Sequence, residues 1–101
     1  MNYIVFDLEW NQCPYGKGQE NERIPFEIIE IGAVKLNSER QIIDQYQVLI
    51  QPRVYKKLHH RTREIIQMDM KLLEREGIPF YRAVKEFLKW CGEDALFCSW
   101  G

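Results

Sequence analysis

Apolar and polar positions alternate in the first half of the chain, whereas apolar positions recur every three to four residues in the second. Over Tyr3–Glu9, Ile4, Phe6 and Leu8 fall on one side of an extended backbone and Tyr3, Val5, Asp7 and Glu9 on the other, which predicts a strand. Residues 11–25 hold Asn11, Pro14, Gly16, Gly18, Asn21 and Pro25 and predict a long polar loop. Glu27–Leu36, rich in Ile and Val, predicts a second strand, and Asn37–Arg40 a turn. Gln41–Ile50 predicts a third strand, with Ile42, Tyr46, Val48 and Ile50 on one side and Pro52 ending it. Strands joined in this way predict an antiparallel meander.

Residues 61–76 carry two adjacent stripes, Ile65, Met68 and Leu72 beside Ile66, Met70 and Leu73. They predict one helix, or two with the second capped at Asp69, and a stop at Gly77. Pro79 opens a clearer helix. Phe80, Ala83, Val84, Phe87, Leu88 and Cys91 share its apolar face, Arg82, Lys85, Glu86 and Lys89 lie opposite, and Gly92 closes it. Ala95–Ser99 predicts a fourth strand, parallel to an earlier one because a helix crosses over to it. The chain reaches Gly101 directly after that strand. Ligand-binding groups gather at the C-terminal ends of strands in α/β sheets. The expectation is that residues 1–101 form the first portion of a single α/β domain with a mixed sheet.

Composition narrows the function classes. The chain has 101 residues, 46% hydrophobic and 29% charged, which is ordinary for one small globular domain. No apolar run is long enough for a membrane span, and Asp7 and Glu9 interrupt what would otherwise be a secretory leader. Cys13, Cys91 and Cys98 are odd in number and lack metal-ligand spacing, so they read as reduced thiols of a cytoplasmic protein. The formal net charge is −1, yet it is unevenly spread: residues 1–44 carry −4, residues 45–63 carry +5, and the remainder −2. A near-neutral total argues against simple polyanion binding, while the basic stripe marks a local exception.

Asp7-Leu8-Glu9 is the main chemical signal. Carboxylates two residues apart on a strand share a face, about 6–7 Å apart along the backbone. Held beside apolar neighbours they repel each other and call for a cation, and hard divalent ions prefer carboxylate oxygens. The alternative is a strand whose acids simply face water. The basic stretch Arg53–Arg63, with Lys56, Lys57, Arg61 and Arg63, suits phosphates, with Tyr55, His59 and His60 available for stacking. The alternative there is a solvated loop and helix start. His59 and His60 read as surface groups rather than catalysts, Glu27 and Glu30 as structural residues, and the cysteines as packing residues.

Phe6-Asp7-Leu8-Glu9-Trp10, followed by Glu27-Ile-Ile-Glu-Ile-Gly-Ala-Val34, resembles the start of the DEDD exonuclease superfamily, DEDDh type, which has a ribonuclease H-like fold. Ser99-Trp100-Gly101 is similar to the lead-in to the second motif in the histone-mRNA and RNA-interference exonuclease branch. The Asp-Leu-Glu-Trp-Asn spelling is similar to bacterial KapD-type proteins, inhibitors of the KinA sporulation pathway. The resemblance implies 3′–5′ hydrolysis of nucleic acid, with RNA favoured, by two Mg²⁺ or Mn²⁺ ions. Asp7 and Glu9 would be catalytic metal ligands, Asp7 shared between the ions. Leu8, Trp10, Ile65, Lys56, Lys57, Arg61 and Arg63 would contact a single-stranded RNA or DNA 3′ end, Ile65 seating the terminal base. Gln67 and Asp69 resemble the helix after the family's Thr-Gly-Ile-Thr segment, although that Thr-Gly is missing here, and Trp10 replaces the usual Thr. Two further Asp ligands and a His base are expected beyond Gly101, so this segment alone is expected to be inactive. A non-catalytic regulatory or nucleic-acid-binding protein on the same fold is the second reading, and a structural α/β domain with solvent-facing acids the third.

Overall fold

The computed structural model describes residues 1–99. Seven elements follow one another: β1 (Asn2–Gln12), β2 (Phe26–Leu36), β3 (Ile42–Leu49), α1 (His60–Ile66), α2 (Met70–Glu76), α3 (Phe80–Cys91) and β4 (Ala95–Ser99). One sheet has the order β3-β2-β1-β4. The first three strands form the expected antiparallel meander, and β4 lies parallel to β1. This is a mixed α/β fold.

The β2–β3 turn closes on Asn37, whose Oδ1 accepts the backbone N–H of Glu39 at 2.9 Å and of Gln41 at 3.0 Å. The face of Ile4, Phe6 and Leu8 packs with Ile31, Ala33 and Ile50 under Ala83, Phe87 and Cys91 of α3. A second cluster joins Ile29 to Leu58 and Leu73, with Ile66, Met68 and Met70 against it. A β-bulge makes this second cluster possible. Glu9 opposes Glu30 while Trp10 opposes Ile28, so Ile29 is the extra residue at the bulge, without a register partner on β1.

The structure departs from the expected elements at several places. β1 runs on to Gln12, into the predicted loop, because Phe26–Ile28 still pair with Trp10–Gln12. Ile42 is 62% exposed rather than aligned with Tyr46 and Val48, since the β2–β3 register shifts between Lys35 and Leu36. For residues 61–76, where one helix or two stood open, the two-helix reading holds: Gln67 adopts a left-handed backbone (φ 50°), and the Asp69 side chain caps α2 as expected by accepting from Leu72 N at 2.8 Å. Gln67 and Asp69 are therefore the junction between helices rather than part of one, and the Ile65 stripe is broken. Phe80 and Leu88 of α3 stay about half exposed. Trp90 packs instead, 5.2 Å from the Tyr46 ring, and donates through Nε1 to Asp44 at 2.9 Å. Trp100-Gly101, part of the second-motif resemblance, lies outside the described residues.

Candidate active site

Among the described residues β4 pairs with β1 only over Asn2–Phe6, so the edge of β1 from Asp7 onward carries no strand. The chain between β3 and α2 fills that side. Asn11, fully buried, accepts the backbone N–H of His59 at 2.8 Å and donates to the carbonyl of Lys57 at 3.0 Å. Thr62 of α1, also buried, donates its hydroxyl to the Trp10 carbonyl at 3.4 Å. His59 caps α1: its Nδ1 accepts from Arg61 N at 3.1 Å. Burial, then the nearby His60 and Arg61 charges, hold the His59 pKa below its ordinary value, and an unprotonated Nδ1 is what the cap requires. These contacts hold α1 beside the free edge of β1.

A cleft of about 400 Å³ lies between them, lined by Asp7, Leu8, Glu9 and Trp10 from β1 and by Arg61 and Ile65 from α1. Asp7 and Trp10 are exposed and Glu9 is half-buried. Burial pushes the Glu9 carboxyl up, with the Asp7 and Glu30 charges adding to it. Glu30, opposite Glu9 across the β1–β2 ladder, also accepts a hydrogen bond from the Gln47 amide. None of the ion pairs among the described residues neutralises Asp7 or Glu9. Two oxygen donors with uncompensated charge fit a hard divalent cation. Among the described residues no three His, Cys, Asp or Glu side chains gather closely enough to hold a metal on their own.

Solved structures share this architecture. The chain superimposes on the nuclease domain of 3′hExo, a DEDDh family member bound to rAMP, with a TM-score of 0.77 and 20% identity, covering 99% of this chain and 52% of that one. The described residues share the fold of part of that nuclease domain. Cell-death related nuclease 4 (CRN-4) matches at a TM-score of 0.71 with 14% identity, over 97% of this chain and 34% of the other. E. coli Exonuclease I in complex with a dT13 oligonucleotide matches at 0.70 with 11% identity, over 98% and 20%. The chain thus spans about half the length of the 3′hExo nuclease domain and less of the others. No protein-family model matches the sequence, and no curated protein matches it significantly.

Within this exonuclease fold the basic stretch is divided. Only Arg61 faces the cleft. Lys57 and Arg63, with His60, line a neighbouring pocket, and Lys56 lines neither; its backbone N–H donates to the Tyr15 hydroxyl at 3.1 Å. Glu93 and Asp94 lie at the other end of the sheet, where the Asp94 carbonyl accepts from Asn2 N at 3.0 Å. The basic stretch is tethered by a residue far from it in sequence. The Glu27 carboxylate accepts the backbone N–H groups of Arg53, Val54 and Tyr55 at 2.6, 2.9 and 3.3 Å. The long gap between Glu27 and Arg53 hides this pairing, although an acid at the start of an otherwise apolar strand is a signal for it.

Proposed function

We propose that this chain is the first portion of a single 3′–5′ exonuclease domain that hydrolyses single-stranded nucleic acid from its 3′ end by a two-metal-ion mechanism. The observation that carries this reading is the placement of Asp7 and Glu9 on the free edge of β1, facing Arg61 and Ile65 of α1 across one cleft, with the Glu9 carboxyl pushed up by burial and neighbouring charge. Asp7 and Glu9 would hold Mg²⁺ or Mn²⁺, and the bound ion would supply polarisation of the scissile phosphate and a lowered pKa for an attacking water. Arg61 offers its guanidinium to a phosphate at the same cleft. Ile65, 72% exposed in the cleft wall, presents an apolar surface to the terminal base, with Leu8 and Trp10 across from it. Lys56, Lys57 and Arg63 extend the cationic surface beyond the cleft.

Among the described residues no third acid, His or Cys joins the Asp7–Glu9 pair, and on this reading the 101-residue segment by itself has little or no hydrolytic activity. The Asp7–Asn11 spelling supports KapD-type sporulation proteins as relatives, and the likeness of Ser99-Trp100-Gly101 to the histone-mRNA exonuclease branch supports RNA as the substrate. Three free thiols suit a reducing cytoplasm. The test is incubation of the complete protein with 5′-labelled single-stranded RNA in Mg²⁺ or Mn²⁺. A ladder shortening from the 3′ end, abolished in Asp7→Asn, is expected. Internal cleavage, or an unchanged ladder in the variant, contradicts the reading.

A further inference from the structure

Helix α1 separates two cavities. Arg61 and Ile65 line the cleft beside β1, while His60 and Arg63 turn to a pocket of about 330 Å³ that Lys57 closes from the preceding loop and Pro14 from the loop after β1. Lys57, His60 and Arg63 are all exposed, and no ion pair among the described residues engages them. The Lys57 ammonium lies 5.6 Å from the centre of the Tyr15 ring, which positions it without neutralising it. The one acid at the rim, Asp69, is occupied as the α2 cap. The Asn11 bond to the Lys57 carbonyl and the His59 cap fix the backbone on which Lys57 and His60 stand. A pocket in which two permanent cations and a histidine face a single capping carboxylate has cationic excess and is chemically suited to an anion.

We propose that the Lys57–His60–Arg63 pocket binds a backbone phosphodiester of a polynucleotide whose 3′ end lies in the Asp7–Glu9 cleft. This inference rests on the nucleic-acid reading of that cleft. The two cavities lie on either side of one helix, about 10 Å across. A dinucleotide in the cleft leaves the pocket empty, whereas a longer strand crosses α1 and fills it. The pocket therefore makes affinity depend on strand length and contributes no base specificity, because it touches phosphate alone.

The test is fluorescence anisotropy of the intact chain with labelled single-stranded dinucleotide and octanucleotide in EDTA, where neither metal nor hydrolysis enters. Arg63→Ala and Lys57→Ala are each expected to weaken octanucleotide binding on the order of tenfold, as for a lost charge-assisted phosphate contact. Each also flattens the slope of log affinity against log salt by about 0.7. Dinucleotide binding stays unchanged, and Lys57→Arg retains the wild-type affinity. Inorganic phosphate competes only weakly; competition by phosphate as strong as by the octanucleotide identifies a free-anion site and overturns the proposal. Equal loss for both lengths, or no loss for either, also overturns it. Length-dependent binding in a protein whose complete form does not hydrolyse RNA would sustain the pocket and refute the nuclease reading.

Discussion

Glu9 and Glu30 are register partners across the β1–β2 ladder, so Glu9 has a second acid directly opposite and Asp7 two residues before it. An acid whose folded pKa is raised binds its proton more tightly in the folded protein. Its unfavourable contribution is present at neutral pH and fades as pH falls through the raised value toward the ordinary 4.5. Glu9→Gln is therefore expected to raise the melting temperature of the metal-free protein at pH 7. The gain should shrink toward zero near pH 4. Thermal scans across that range check it, and a gain that grows on acidification would contradict it. Glu30→Gln should lower the pH at which Glu9 titrates, as read by carboxyl-carbon NMR.

His59 has the opposite sign. Its pKa is held below the ordinary 6.5, so its stabilising cap is present above that value and lost as pH falls and Nδ1 takes a proton. Amide exchange at Arg61 and Thr62 is expected to accelerate on acidification from pH 7 to 5. In His59→Asn, whose side chain caps without titrating, exchange at these amides stays flat over the same range.

Asn11 joins β1 to the loop before α1 through two hydrogen bonds in a fully buried setting. Asn11→Ala leaves the Lys57 carbonyl and the His59 N–H without these partners. A loss of about 2 kcal/mol is expected in denaturant unfolding. Asn11→Asp keeps the acceptor for His59 N–H and should recover part of that loss at the acceptor side only.

Gly77 is needed for space rather than for backbone freedom, since its φ is −73°. A methyl there would lie 2.6 Å from Gln51 N and 2.8 Å from Ile50 C, and closer still to the Leu73 carbonyl oxygen, all backbone atoms. Gly77→Ala is expected to cost roughly 1–3 kcal/mol by overpacking the junction of α2 with the end of β3. Urea titration measures it, and a neutral result would mean that this junction yields.

The strands and α3 were legible because their patterns are local: period two over Tyr3–Glu9, and period 3.6 from Phe80 to Cys91. Asp7 and Glu9 were legible because two acids interrupt an apolar strand. What escaped depends on contacts distant in sequence. The bulge at Ile29 arises from pairing with β1 and has no local mark. Glu27 meets Arg53–Tyr55 across 26 to 28 residues. The single basic stretch of the sequence becomes two surfaces because α1 turns Arg61 to one side and Arg63 to the other. The broken stripe at Ile65 follows from a left-handed Gln67, a conformation that a glycine would have advertised and a glutamine does not.

The central claim is that Asp7 and Glu9 form a divalent-metal site beside α1. Paramagnetic Mn²⁺ titrated into ¹⁵N-labelled protein tests it most directly, because line broadening reports even weak binding by position. The account predicts selective broadening of the amides of Asp7–Trp10 and, across the cleft, of Arg61–Ile65, with both effects lost in Asp7→Asn. Broadening centred elsewhere, or unchanged in Asp7→Asn, would contradict it.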